Sequence, residues 1–166
     1  MSFDGVDDYI SLPDVVDSGL TSGFTISTWV KVINNSSYPT FISLSKNIYT
    51  IISAEDNASG NKFKFGINDG GGSWHFMYGS TITLGDWYHI IGTWDGVTAK
   101  LYMNGTLYDT ALVSSYNPIN RQNVLGAWAN GATTQASYLN GILDEVRIYS
   151  RALSASEIKL IYNMGK

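Results

Sequence analysis

The chain has no cysteine, three prolines, two histidines and three glutamates in 166 residues. Without cysteine there is neither a disulfide framework nor a Cys-ligated zinc or iron–sulfur site. Stability must come from packing, and the chain is long enough to bury a core without staples. Two histidines leave little for metal or nucleophilic chemistry, and no GxSxG elbow, HExxH pair or phosphate-cradling loop occurs. Charge is sparse, at 14% of residues, with ten Lys and Arg spread along the chain and a net charge of −4. Without a basic cluster, nucleic acid and anionic membranes are poor partners. No run approaches the ~20 apolar residues that span a bilayer, so membrane insertion is not expected. Met1 leads straight into a strand with no signal peptide, as expected of a domain excised from a larger protein.

What is present is turn punctuation. Asp4-Gly5, Asp69-Gly70, Asp95-Gly96, Asn104-Gly105, Asn130-Gly131 and Asn140-Gly141 all accept the positive φ that tight hairpins need. Between them lie short runs rich in β-branched and aromatic residues: 8–12, 24–32, 40–45, 48–53, 62–68, 74–78, 88–95, 100–103, 122–127 and 144–150. Many short strands at regular spacing predict an all-β sandwich or barrel. "WYHIIGTWDGVTAKLYMNG" reads as a hairpin that turns again at Asn104-Gly105 into a meander. Only the end is helical. Ser154 and Glu157 have the spacing of a capping box, and Ile158 and Ile161 share a face, which predicts a turn or two of helix docked at the sandwich edge.

The blocks "SFDGVDDYISL", "FTISTWV", "WYHIIGTWDG", "LYMNG" and "LNGILDEVRIYSRALSASEI", in that order, resemble the laminin G-like, concanavalin A-like jelly-roll domains. The likeness runs from Phe3 to about Ile161 and is poorest from Asn34 to Ser80. It implies one domain over residues 1–166: an antiparallel two-sheet jelly-roll β-sandwich with a short C-terminal helix. It also implies a non-catalytic binding module of a secreted or cell-surface protein, commonly with a structural calcium ion. The ligand would be a carbohydrate or glycoprotein, and the module a monomer within its parent.

The carboxylates divide. Asp4, Asp7 and Asp8 crowd into five residues beside Gly5. In "LDEVRIY", strand alternation puts Asp144 in phase with Val146 and Ile148 and so toward the core. A buried ionised carboxylate needs a partner. Asp144 is therefore either a half-wet residue of the Asn140-Gly141 turn or a calcium ligand, and the residues alone leave both readings open. The resemblance, in which first and last strands lie side by side, favours calcium, with Asp4, Gly5, Asp144 and Asp7 as its ligands. Glycoside hydrolysis needs two carboxylates flanking one bond. Here Glu157 is committed to the helix cap, Glu145 to Arg147, and Glu55 to a loop, so an enzyme is not expected.

Among the aromatics, Trp29, Trp87 and Trp94 read as scaffold. Trp29 is out of phase with Phe24, Ile26 and Val30, which requires either a bulge or packing on the other face. His89 reads as a hydrogen-bonded core imidazole. Trp74 and Trp128 each border a Gly-rich or polar loop. Each either folds back as a core cap or stands as a stacking platform for a sugar ring. Tyr78, Asn130, Arg121, Asp69 and Tyr38 are rim candidates, and His75 beside Trp74 could line the same groove. The expected function is carbohydrate binding by aromatic stacking and neutral hydrogen bonds. The alternatives are a protein-interaction or adhesion module of a cell-surface or viral-fibre protein and, behind it, a polysaccharide-active hydrolase or lyase.

Overall fold

A computed structural model of the chain describes residues 1–13, 20, 22–34, 38–44, 50–55, 61–116, 122–129 and 135–165. Among these residues fourteen strands precede one helix: β1 (Ser2–Asp4), β2 (Ile10–Leu12), β3 (Phe24–Asn34), β4 (Thr40–Leu44), β5 (Thr50–Glu55), β6 (Lys62–Asn68), β7 (Trp74–Thr81), β8 (Trp87–Trp94), β9 (Thr98–Met103), β10 (Thr106–Leu112), β11 (Asn123–Leu125), β12 (Trp128–Ala129), β13 (Gln135–Ala136), β14 (Asn140–Tyr149) and α1 (Ala155–Met164). The first sheet has the order β1-β14-β3-β8-β9-β10 and the second β2-β11-β4-β5-β6-β7, with β12 and β13 as a separate ribbon. All pairings are antiparallel, as the turn-rich sequence predicts.

The core lies between the sheets. Phe24, Ile26, Val30 and Val32 of β3 face Phe41, Ile52, Phe63, Phe65 and Met77 of the second sheet, all fully buried. Burial at this scale supplies the driving force for folding, at roughly 1.5–3 kcal/mol per large apolar side chain. Asn104 and Gly105, at φ 49° and 75°, form the tight turn expected between β9 and β10. The terminal strands pair as the resemblance implies, with Phe3 opposite Gly141 and Asp4 opposite Asn140.

Three expectations are corrected. β14 advances three residues, Asp144 to Arg147, while β3 advances two, Trp29 to Ser27. This is a β-bulge, with Glu145 at φ 51°. It reverses the alternation: Leu143 is buried before it, and Asp144 is exposed. Asp144 is therefore not an inward-facing carboxylate. The helix runs for ten residues rather than a turn or two. It docks on the outer face of the first sheet, not its edge, packing Ile158 with Ile91, Tyr102 and Leu153 in a second small core. The capping box is complete: the Glu157 N–H donates to Ser154 Oγ and the Ser154 N–H to Glu157 Oε2.

That second core resolves Trp29. Its ring lies on the outer face and stacks on both His89 and Tyr162 of α1, at 5.1 and 5.7 Å between centroids. His89 is buried, as expected, and its Nε2 lies 2.9 Å from Ser27 Oγ. Burial first, and the Arg147 charge second, push its pKa down to about 4, so the imidazole is neutral. Trp94 is core and donates to the Val113 carbonyl. Trp87, expected as scaffold, is instead 41% exposed.

Candidate functional site

β6 and β7 show why a groove forms on the outer face of the second sheet. Their inner phase is Phe63, Phe65, Ile67 and Met77, all buried. The outer phase therefore carries Lys64, Gly66, Trp74, Phe76 and Tyr78. Gly66 sits opposite Phe76, and a Cβ there would lie 2.6 Å from the Phe76 ring and 3.2 Å from that of Trp74. Its missing side chain leaves room for both rings close to the strand. They stack at 5.3 Å with planes 7° apart, and Tyr78 continues the row, 6.3 Å beyond Phe76.

The row forms one side of a cleft of about 320 Å³. Its floor includes Thr40, Ile51, Ser53 and Lys64, and Tyr38, Trp128 and Ser137 complete the lining. Trp74 and Trp128, 54 positions apart in the sequence, thus line one cavity. Lys64 extends its ammonium over the Phe76 ring at 4.5 Å and meets Glu55 at 3.9 Å. Desolvation lowers the Lys64 pKa, and the Glu55 charge opposes that shift. Ser53 Oγ and Trp128 Nε1 are buried with no hydrogen-bond partner among the described residues. No carboxylate lines the cleft among the described residues.

The remaining sequence candidates scatter. Asp69 and His75 bind each other, Oδ2 to Nε2, at 2.8 Å. Asp69 Oδ1 also accepts from the N–H groups of Gly71 and Ser73, so this carboxylate organises the Gly-rich turn. The His75 hydrogen bond is the main reason its pKa is lowered. His75 is in the opposite strand phase from Trp74 and does not line the cleft. Tyr78 extends the aromatic row outside the lining residues. Arg121 and Asn130 lie outside the described residues. Glu55, expected in a loop, ends β5. Sequence reasoning missed Phe76 and Lys64, although "WHFMY" carried the signal: aromatics at every second position.

The acidic cluster is not part of the cleft lining. Oxygens of Asp4, Asp7 and Asp8 lie within 4.8 Å of one another, and all three residues are exposed. Asp4 Oδ1 accepts from the Val6 N–H and Asp8 Oδ2 from the Asp4 N–H. The Asp4 carbonyl is taken by Asn140 Nδ2 at 2.9 Å. Asp144 is not in this group. Asp4 pairs with Asn140, four residues earlier in β14, and Asp144 faces an aromatic pocket beneath α1.

Comparison with known proteins places this geometry. The family model of the concanavalin A-like lectin/glucanases superfamily matches residues 4–159. The chain belongs to this superfamily. No curated protein matches it. Among solved structures it is similar to the SAP-like pentraxin of Limulus polyphemus, at 19% identity and TM-score 0.71, covering 97% of this chain and 80% of that one. Domain 4 of AbnA, an extracellular GH43 arabinanase of Geobacillus stearothermophilus solved with arabinotriose, is similar at 21% identity and TM-score 0.65, covering 97% and 75%. The receptor binding domain of botulinum neurotoxin type G is similar at 17% identity and TM-score 0.70, covering 99% of this chain and 41% of that domain. The chain thus spans well under half of that toxin domain. The described residues contain no helix long and apolar enough to cross a membrane.

Proposed function

We propose that the chain is a non-catalytic carbohydrate-binding module of a secreted or surface protein, and that the Trp74–Trp128 cleft is its binding site. The observation that carries this is the meeting in one cavity of Trp74 and Trp128 with the polar side chains of Tyr38, Lys64 and Ser137. The Trp74 indole, backed by Phe76 along one side of the cleft, would be the surface on which the apolar side of a sugar packs. Tyr38, Lys64 and Ser137 supply polar groups along the lining for sugar hydroxyls. The lack of a lining carboxylate among the described residues favours binding over glycoside hydrolysis. A short oligosaccharide fits the volume, which is at the low end for ligand clefts. Arabinotriose, the ligand of the similar arabinanase domain, is a first probe, followed by a glycan array. Binding that is lost in Trp74→Ala and in Trp128→Ala supports the site; binding that survives both substitutions removes it.

A structural calcium ion belongs to the same proposal. The donor set suits it: three carboxylates converging at one corner, where hard oxygen ligands are what Ca²⁺ takes. Asp4, Asp7 and Asp8 would hold the ion, and its charge would offset their repulsion next to the β1–β14 pairing. Calcium is expected to raise the melting temperature and EDTA to lower it. Asp4→Asn should abolish that response and Asp144→Asn should leave it intact. A response lost equally in both variants would count against this assignment. The second functional reading, a protein-interaction module, is favoured by one observation: edge strand β10 exposes Leu107, Tyr108 and Leu112.

A further inference from the structure

The outer face of the first sheet has its own cleft, of about 470 Å³, beneath the C-terminal end of α1. Trp29, Trp87, Tyr162 and Gly165 line it together with Asp144 and Glu145. The carboxylates are there because of the bulge. In a regular strand Asp144 and Glu145 would point to opposite faces. With Glu145 at φ 51°, both are exposed and both border the same cavity. A non-glycine residue in the left-handed region is an unfavourable conformation, and such outliers concentrate where function needs a side chain re-aimed.

The two acids differ in their partners. Glu145 is paired with Arg147. Asp144 accepts only the N–H of its neighbour Glu145, on Oδ1, leaving Oδ2 without a partner among the described residues. Lys31, opposite Trp87 in the β3–β8 ladder, does not line the cavity. Trp87 is 41% exposed and stacks on no other ring among the described residues, so its indole face is available. Arg147, which borders the adjoining cavity with both acids, is paired with Glu145, so Asp144 has no salt-bridge partner among the described residues; a partly open indole beside such a carboxylate attracts an organic cation, by the ring quadrupole and by charge.

We propose that this cleft binds a small organic ammonium ion, alkylated or quaternary, over Trp87 and against Asp144. The site is separate from the sugar cleft and does not depend on it. The test is titration of the full chain with tetramethylammonium chloride, reading the indole N–H resonances of the five tryptophans. Sodium chloride controls for ionic strength and neopentyl alcohol for shape without charge. Saturable shifts confined to Trp29 and Trp87, absent in both controls, are expected. Asp144→Asn and Trp87→Leu should each weaken binding about fivefold or more. Both residues are exposed, and an unchanged circular dichroism melt would show that the variants fold. Choline and phosphatidylcholine vesicles form separate arms. Response to both identifies a lipid headgroup as the source, and response to choline alone identifies a soluble cation. Equal shifts with neopentyl alcohol, shifts that do not saturate, or unaltered binding in Asp144→Asn would overturn the proposal.

Discussion

Both sheets carry aromatic rings on their outer faces: Trp29, His89 and Trp87 on the first, and Trp74, Phe76 and Tyr78 on the second. The first face is largely roofed. α1 places Ile158 and Tyr162 on it, Thr25 Oγ1 donates to the Arg151 carbonyl and accepts from the Leu153 N–H, and a second core closes over His89. Among the described residues no helix covers the second face. Among the described residues its aromatic row is walled at the side, by residues such as Trp128 of the β12–β13 ribbon, and borders a cleft. The same residue types therefore pack under a helix on one face and border a cleft on the other. What separates them is whether another element of the chain covers them.

The strongest way to break that contrast is to remove the roof. Ile158→Ala should cost about 2–5 kcal/mol, the usual penalty for emptying a buried aliphatic site, and should leave sugar affinity unchanged. Chemical denaturation with a parallel binding titration checks both halves. A fall in affinity that tracks the loss of stability would show that the faces are coupled.

Acid tests the same roof without mutation. His89 has a folded pKa of about 4, below its ordinary value near 6.5, so between these values the unfolded chain binds the extra proton. The stabilisation from the neutral buried ring is fully present above pH 6.5. It is lost as pH falls from 6.5 toward 4, and amounts to roughly 3 kcal/mol at most. His89→Gln should flatten the stability profile in that window; an unchanged slope would count against a neutral buried imidazole.

On the open face, Gly66→Ala drives a methyl into Phe76 and Trp74. A stability cost of about 1–3 kcal/mol is expected. Sugar affinity should fall about tenfold as the stacked pair is displaced. The smallest effect is expected at the cap, where Ser154→Ala should cost about 1 kcal/mol of helix stability and leave the cleft unchanged. Thermal melts of the two variants, set beside their affinities, would sharpen the distinction between roof and cleft.

Much of the fold was legible in the sequence because its signals are local. The Asn104-Gly105 turn, the Ser154–Glu157 cap and the alternation Phe63, Phe65, Ile67 each need only a few neighbouring residues. Asp144 shows where local reasoning failed. Alternation carried back from Val146 and Ile148 crosses a bulge, and one extra residue inverts every inference behind it. Glu145 is not a glycine, so nothing in "LDEVRIY" marked the positive φ. The cleft was half legible. Trp74 and Trp128 stood out by their loop neighbours, but their meeting depends on strand order and on the β12–β13 ribbon. Phe76 and Lys64 were hidden in the stretch from Asn34 to Ser80, which is least like the family and which supplies most of the lining.

Local signals were enough for the Asn104-Gly105 turn, the strand periodicity, the capped helix and the all-β class, because backbone geometry and hydrophobic alternation act over a few residues; the two-sheet sandwich was expected from the family resemblance. Long-range packing settled the rest: which aromatic face is covered, that Asp4, Asp7 and Asp8 cluster without Asp144, and that Asp144 borders Trp87's cleft. Those outcomes depend on strand order, one bulge and the docking of α1, all set by packing between residues far apart in the chain.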